Sequence, residues 1–121
     1  MWRRFDPNPC GGGVGDCAVR AVALATGQTW REAFSGLCKK AYDMCDMPSA
    51  NRVWGAYLRR YGFVRDNVPD GIFTLREFCR SFPRGVYVVA MPGHVATVID
   101  GDYYDAWDSG RQEPLYFWRR A

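Results

Sequence analysis

Cys17 is the residue whose surroundings most favour chemistry. It follows a glycine-rich run ending in Gly15-Asp16 and begins an apolar segment, which places it on the first turn of a buried helix. A thiol at that end of a helix lies in the positive field of the helix dipole, which lowers its pKa and favours the nucleophilic thiolate. Backbone N–H groups of the preceding loop can stabilise an oxyanion. The alternative is that Cys17 is a small core residue without chemistry.

His94 is the only histidine in the sequence, and it opens a predicted strand directly after Pro92-Gly93. A cysteine nucleophile commonly uses a histidine to hold the thiolate as an ion pair and then to protonate the leaving group. Any Cys–His pair in this chain must therefore use His94. The alternative is a structural histidine.

The group expected to orient His94 is an aspartate on the next strand. A two-residue turn at Asp100-Gly101 would pair His94 with Trp107 and place Asp105 on the same face. A three-residue loop would instead pair His94 with Asp108. Both strands are apolar on both faces, so the pattern leaves both registers open. We predict Asp108, whose carboxylate would lie beside the imidazole. Trp107 would cover the His–Asp hydrogen bond and form part of the substrate-binding region; the alternative is that Trp107 is a plain core residue.

The elements that must position these residues are helical in the first half and strand-like in the second. Residues 1–15 are predicted to be an irregular lead-in. Capping boxes begin helices at Thr29 and Thr74. The predicted helices are Cys17 to Thr26, Thr29 to about Met44, about Ala50 to Tyr61, and a short one from Thr74 that ends before Phe82. The first is apolar on nearly all sides, which is typical of a helix at the centre of a domain.

Four strands are expected after the last helix, and short turns separate them. They are Val86 to Met91, His94 to Ile99, Tyr103 to Trp107 and Leu115 to Trp118. Because the connections are short, we predict an antiparallel meander. The fold class is α+β, with N-terminal helices packed on a C-terminal antiparallel sheet in a single domain, residues 1–121.

The composition is that of an ordinary globular domain. Hydrophobic residues make up 48% of the 121 residues and charged residues 24%, which argues against disorder. The net charge of +3 is too small to demand a nucleic-acid partner. No apolar stretch predicts a membrane span or a secretory signal, so we expect no membrane partner.

Metal and disulfide chemistry find little support in the sequence. The five cysteines are an odd number without a C-x-x-C pair, and one histidine is a poor basis for a zinc site. We therefore expect free cysteines in a reducing compartment, the cytoplasm of a bacterium or of a phage-infected host cell, with no metal or cofactor.

The order Cys, His, Asp, with the cysteine on a central helix and the other two on adjacent strands, resembles the papain-like cysteine peptidase superfamily. The segments Gly15 to Ala21, Gly93-His94-Val95 and Asp105 to Ser109 are similar to a small bacterial and phage branch of papain-fold proteins. The resemblance covers roughly residues 8–118.

That resemblance implies a papain-like fold and a hydrolase that cleaves a peptide or isopeptide-type amide bond. Cys17 would be the nucleophile, His94 the base and then the acid, and Asp108 the residue that fixes the His94 tautomer. The glutamine that papain-type enzymes place six residues before the cysteine is glycine here. Asn8 or backbone amides of the glycine run would have to take its place in the oxyanion hole.

Two other functions stay open at this point. A deamidase or acyltransferase uses the same three residues. A non-catalytic phage or effector binding module on a peptidase scaffold would use the many Arg and Trp residues to contact a host protein. Arg20, the one charge on the apolar helix, is expected to pair with a carboxylate because an unpaired buried guanidinium costs several kcal/mol.

Overall fold

A computed structural model describes residues 1–120, which form four helices and six strands. In chain order these are β1 (Trp2–Arg4), α1 (Cys17–Thr26), α2 (Trp30–Met44), α3 (Asn51–Arg60), β2 (Phe63–Asn67), α4 (Leu75–Ser81), β3 (Val86–Met91), β4 (His94–Ile99), β5 (Asp102–Asp105) and β6 (Tyr116–Arg120). The α+β class is therefore confirmed.

The helices begin and end close to the predicted residues. Thr29 and Glu32 form the capping box of α2, each side chain bonding the other's backbone N–H. The Thr74 side chain caps α4 by accepting from the Glu77 N–H. Gly27 ends α1 in a left-handed conformation, φ 69°, which glycine adopts without strain. Local capping chemistry thus fixed these boundaries.

The sheet is six-stranded and mixed, in the order β1-β5-β4-β3-β6-β2. The predicted meander holds for β3, β4 and β5 but is wrong at β6, which pairs with β3 on its other side. β1 and β2 were not predicted. β1 is only three residues long and pairs in parallel with β5, and β2 buries only Phe63. Neither strand therefore shows the alternation of apolar and polar residues by which a strand is predicted.

Apolar clusters fill both faces of the sheet. Helices α1, α2 and α3 share one cluster with alternate residues of β3, Val88 and Ala90. Helix α4 packs on the opposite face, against Val89 and Met91. The alternation follows from the two-residue period of a strand. The sheet is therefore covered on both faces, with the first three helices on one face and α4 on the other.

Helix α1 lies at the centre, as predicted, and its position beside β4 places Cys17 near His94. Most of its residues are buried. The buried Thr97 hydroxyl of β4 donates to the Ala21 carbonyl at 2.7 Å, which fixes the helix along the strand. Among the residues described, no helix is both long enough and apolar enough to cross a membrane.

The β4–β5 hairpin has a two-residue turn, Asp100-Gly101, so the predicted three-residue loop is wrong. Ile99 pairs with Asp102 and Val98 with Tyr103. Asp100 and Gly101 have φ of 48° and 82°, as the primed turns that match strand twist require. This register decides which aspartate reaches His94.

We expect Gly101→Ala to lower the free energy of unfolding by about 1–2 kcal/mol, because a side chain with Cβ is strained at this φ. The added Cβ would lie 3.5 Å from the Cys79 carbonyl oxygen, an ordinary contact, so the cost is backbone strain. Gly101→Asn should cost less, since asparagine tolerates left-handed conformations. Urea denaturation measures both; equal losses would contradict the turn assignment.

Candidate active site

Cys17 is the first residue of α1, and no side chain caps the amides of that helix end. Asp16 stands at the cap position, but its carboxylate accepts hydrogen bonds from Arg20 and from Trp30 Nε1, the latter at 2.9 Å. The amides of Cys17 and Ala18 therefore have no partner within residues 1–120, and they lie next to the thiol.

His94 joins the thiol to a carboxylate. Its Nε2 lies 2.6 Å from Oδ2 of Asp105, which leaves Nδ1 as the ring nitrogen available to the Cys17 thiol; Cys17 and His94 line the same two clefts. The sequence singled out Cys17 and His94, and the structure brings them together.

Asp105 is the carboxylate that orients His94, and it is 1% exposed. Besides the His94 ring, three donors bind it: the Ser109 hydroxyl at 2.5 Å, the Ala106 N–H at 2.8 Å and Arg20 Nη2 at 3.1 Å. Ser109 and Arg20 were not predicted to contact it. A buried anion needs such donors, so a small polar residue shortly after a candidate aspartate was a usable signal.

Asp108 does not occupy the position predicted for it. Its carboxylate accepts from Arg76 Nη2 at 2.9 Å, from the Tyr103 hydroxyl at 2.5 Å and from the Gly110 N–H at 3.0 Å. The two-residue hairpin turn is the reason, because it shifts β5 by one residue relative to the predicted register. Asp108 instead stabilises the loop that follows β5.

Arg20 is buried and bridges two carboxylates, as its position on an apolar helix led us to expect. Nη1 binds Asp16 and Nη2 binds Asp105. Hydrogen bonds join His94 to Asp105, Asp105 to Arg20 and Arg20 to Asp16. Asp16 precedes Cys17 in the chain, and the Cys17 thiol faces His94, so these residues form a closed ring. The ring ties the nucleophile's helix to the strands that carry the histidine and the carboxylate.

The electrostatics favour an ion pair between Cys17 and His94. Burial opposes ionisation of the thiol, but the hydrogen bond and charge of His94, the Val95 N–H and the charge of Arg20 outweigh it and lower the pKa of Cys17. Burial likewise opposes the imidazolium, yet Asp105 and Cys17 raise the pKa of His94 to about 9.

The Asp105 carboxyl stays ionised beside them. Burial disfavours its charge, but hydrogen bonds from His94 and Ser109 lower its pKa below the usual range. The lowered pKa of the thiol and the raised pKa of the imidazole therefore favour a thiolate and an imidazolium in line with this carboxylate.

Of the two further site residues that the sequence suggested, Trp107 lies at His94 and Asn8 lies in a separate loop. Trp107 packs on the His94 ring, with centroids 4.7 Å apart, and is itself 45% exposed, so it borders the cleft and is not a plain core residue. The structure does not bring Asn8 to the thiol. Its Oδ1 accepts from the Cys10 N–H at 3.0 Å within a turn of its own loop, and Asn8 lines neither of the two clefts that reach Cys17.

Clefts flank Cys17 on both sides. One, about 320 Å³, lies between the glycine-rich loop and Trp107. The other, about 310 Å³, lies toward Asn51 and Met91. Both reach Cys17 and His94, so an extended chain crossing the site would pass over the thiol.

No grouping of three His, Cys, Asp or Glu suited to holding a metal ion occurs between residues 1 and 120. Comparisons with protein-family models, with curated proteins and with solved structures found no match to this chain. The functional argument therefore rests on geometry: a half-buried thiol, a histidine held by a buried carboxylate, and uncapped helix amides beside the thiol.

Cys17 should be the first cysteine alkylated by iodoacetamide at pH 6, because its thiolate is stabilised there. His94→Ala should slow that reaction at least tenfold. Exposed Cys10 and Cys45 have no histidine partner and serve as internal controls, and burial raises the pKa of Cys79 to about 11. Mass mapping measures the rates; labelling of Cys10 or Cys45 first would contradict the assignment.

Asp105→Asn should slow alkylation of Cys17 at pH 6 by roughly threefold to tenfold, because a less stabilised imidazolium supports the thiolate less. Asp108→Asn removes the same charge from a group outside the ring and should leave the rate unchanged. Circular dichroism at the assay temperature verifies that both variants are folded. Equal effects of the two substitutions would show that Asp105 has no special role.

Proposed function

We propose that this protein is a papain-like cysteine hydrolase that cleaves a peptide or isopeptide-type amide bond. Cys17 is the nucleophile, His94 the base and then the acid, and Asp105 holds the His94 ring. The observation that carries the proposal is the line from the Cys17 thiol through His94 to the buried Asp105, at the uncapped end of α1.

In the first half-reaction the Cys17 thiolate attacks the substrate carbonyl carbon, forming a C–S bond and an oxyanion. The Cys17 and Ala18 amides, with the dipole of α1 behind them, are the available donors to that oxyanion. The C–N bond then breaks while His94 Nδ1 gives its proton to the amine. An acyl-thioester on Cys17 remains, and the amine leaves.

In the second half-reaction His94 is neutral and takes a proton from water as the water attacks the thioester. The C–S bond breaks, the acid leaves, and the thiolate–imidazolium pair is restored. Asp105 bonds Nε2 throughout, so Nδ1 keeps facing the thiol. Trp107 lies over the ring and shields this hydrogen bond from water.

The intact line of three groups favours an enzyme over a binding module. A scaffold that only binds has no need to raise the pKa of a histidine to about 9 or to bury a carboxylate behind it. A deamidase or acyltransferase would share the first half-reaction and differ in the leaving group or the acceptor.

The test uses quenched peptide and isopeptide libraries with the wild type and Cys17→Ala. New amine ends identify hydrolysis, released ammonia identifies deamidation, and hydroxamate formed with added hydroxylamine reports the acyl-thioester. We expect new amine ends with wild type alone. Ammonia without new amine ends would assign deamidation. If no product depends on Cys17, the protein is not a hydrolase.

Turnover should follow a bell-shaped pH profile whose alkaline limb falls near pH 9. The acid function is lost there as His94, whose pKa is raised to about 9, releases its proton. Asp105→Asn lowers the pKa of His94 by removing the anion that favours imidazolium. This limb should then move to lower pH, with kcat reduced about 10–10³-fold, or roughly 1.4–4 kcal/mol of barrier. An alkaline limb that does not move would contradict this role.

A further inference from the structure

A second groove, which we call the arginine groove, lies between α3 and the β2–β6 edge of the sheet and encloses about 470 Å³. Its lining includes Gly55, Ala56, Arg59, Arg65, Tyr116 and Trp118. On α3 the lining residues follow helical spacing, and the small residues Gly55 and Ala56 lie between Arg52 and Arg59. At Gly55 an added Cβ would come within 2.8 Å of the Trp118 ring, so the groove's depth depends on this glycine.

The groove adjoins the site. Asn51 lines both the arginine groove and the cleft beside Cys17. Its amide donates to the Tyr116 hydroxyl at 3.0 Å and accepts from Trp54 Nε1 at 3.2 Å, so it is a fixed part of the wall between them. From Asn51 to Arg59 along α3 is about 12 Å, which an extended peptide covers in about four residues.

Two cations of the groove are left without an acidic partner. Arg52 is neutralised by Asp46 at 2.6 Å, but neither Arg59 nor Arg65 forms a salt bridge with any residue from 1 to 120. The Arg65 guanidinium lies 3.8 Å over the Tyr116 ring and that of Arg59 lies 5.3 Å from the Trp118 ring. A stacked guanidinium keeps its N–H donors in its own plane, where a carboxylate binds them in pairs.

Trp118, which lines the groove, carries a hydrogen-bond donor without a partner in the described part of the chain. Trp118 Nε1 is buried and has no acceptor among residues 1–120. The six-membered ring of the same indole lies against Gly55. An acidic ligand in the groove would bring acceptors to a region that has an excess of donors.

We infer that the arginine groove binds an acidic segment of the substrate that lies several residues from the bond that Cys17 attacks. The inference rests on the proposed function. Carboxylates suit the groove better than nucleic-acid bases, because Tyr116 stacks on Trp54 and lies under Arg65, and Trp118 is buried. That leaves little aromatic surface for a base to stack on.

The test compares alkylation of Cys17 by two matched pairs of electrophiles. Chloroacetyl-tetraglutamate and chloroacetyl-tetraglutamine extend from one side of the reacting carbon, and the corresponding tetrapeptidyl chloromethyl ketones extend from the other. At low ionic strength the glutamate probe of one orientation should react about tenfold faster than its glutamine partner, and added salt should reduce the difference.

In the double variant Arg59→Gln, Arg65→Gln, the glutamate and glutamine probes should alkylate Cys17 at nearly the same rate. Arg60→Gln is the matched control, because Arg60 is the neighbouring exposed arginine of α3 but lines a different surface depression. If both glutamate probes react no faster than the glutamine probes while Cys17 remains reactive, the arginine groove does not bind acidic residues and the proposed function stands.

A direct binding measurement distinguishes failure of the groove proposal from failure of the proposed function. Fluorescein-labelled tetraglutamate should bind Cys17→Ala, and its anisotropy change should be lost in the version that also carries Arg59→Gln and Arg65→Gln. If Cys17 reacts with no probe and not with iodoacetamide, the proposed function fails, and this anisotropy alone decides whether the groove binds an anion. Tighter binding of oligothymidylate than of tetraglutamate would overturn the acidic-peptide assignment.

Discussion

The buried carboxylate of Asp105 is the constraint on which the site depends. Its four donors come from β4, α1, the residue after β5 and the loop beyond it. Leaving such a charge unpaired inside a protein costs several kcal/mol, so burying Asp105 requires these segments to assemble around it. The same assembly places the Cys17 thiol against His94. Folding therefore fixes the geometry of the pair before any substrate arrives.

Arg20 makes the charge balance of this assembly compatible with a thiolate. The Asp16 and Asp105 carboxylates would by themselves oppose a further negative charge beside them. Arg20 and a His94 imidazolium would balance these two anions, so that a thiolate on Cys17 would be the single net charge of the cluster. The charge of Arg20 accordingly contributes to the lowered pKa of Cys17, and its guanidinium binds Oδ1 of Asp105 while His94 binds Oδ2.

The sequence predicts the central helix, the other helix starts and the Cys17–His94 contact for physical reasons. Caps and glycines act locally, and a chain with one histidine leaves one choice of partner. The choice between Asp105 and Asp108 depended on one residue of strand register, which the two-sided apolar pattern does not encode. The Asp100-Gly101 dipeptide did encode it, since an Asp-Gly pair favours the two-residue turn that the structure has.

Other features could not be predicted because they depend on distant pairing. β1 is held by its parallel pairing with β5, and β6 crosses to the far side of β3, where the Leu115 N–H donates to the Ala90 carbonyl at 2.7 Å. Neither follows from residues close in sequence. The arginine groove could not be predicted for the same reason. Its walls come from α3, β2 and β6, which are distant in sequence and adjacent only in the folded protein.

Glycines on both sides of Cys17 explain how a half-buried thiol can still meet a chain-like substrate. Gly15 and Gly93 line both clefts that flank the thiol, and a Cβ at either would meet no atom within 4 Å. Gly93 has φ 61°, so the hairpin before His94 itself requires glycine, whereas Gly15 has no such backbone requirement. The missing side chain at Gly15 therefore keeps open the space above the uncapped amides, where the proposed oxyanion must form. Backbone exposed on both sides of the nucleophile suits an extended polypeptide better than a compact small molecule, which agrees with an amide bond within a chain as the target.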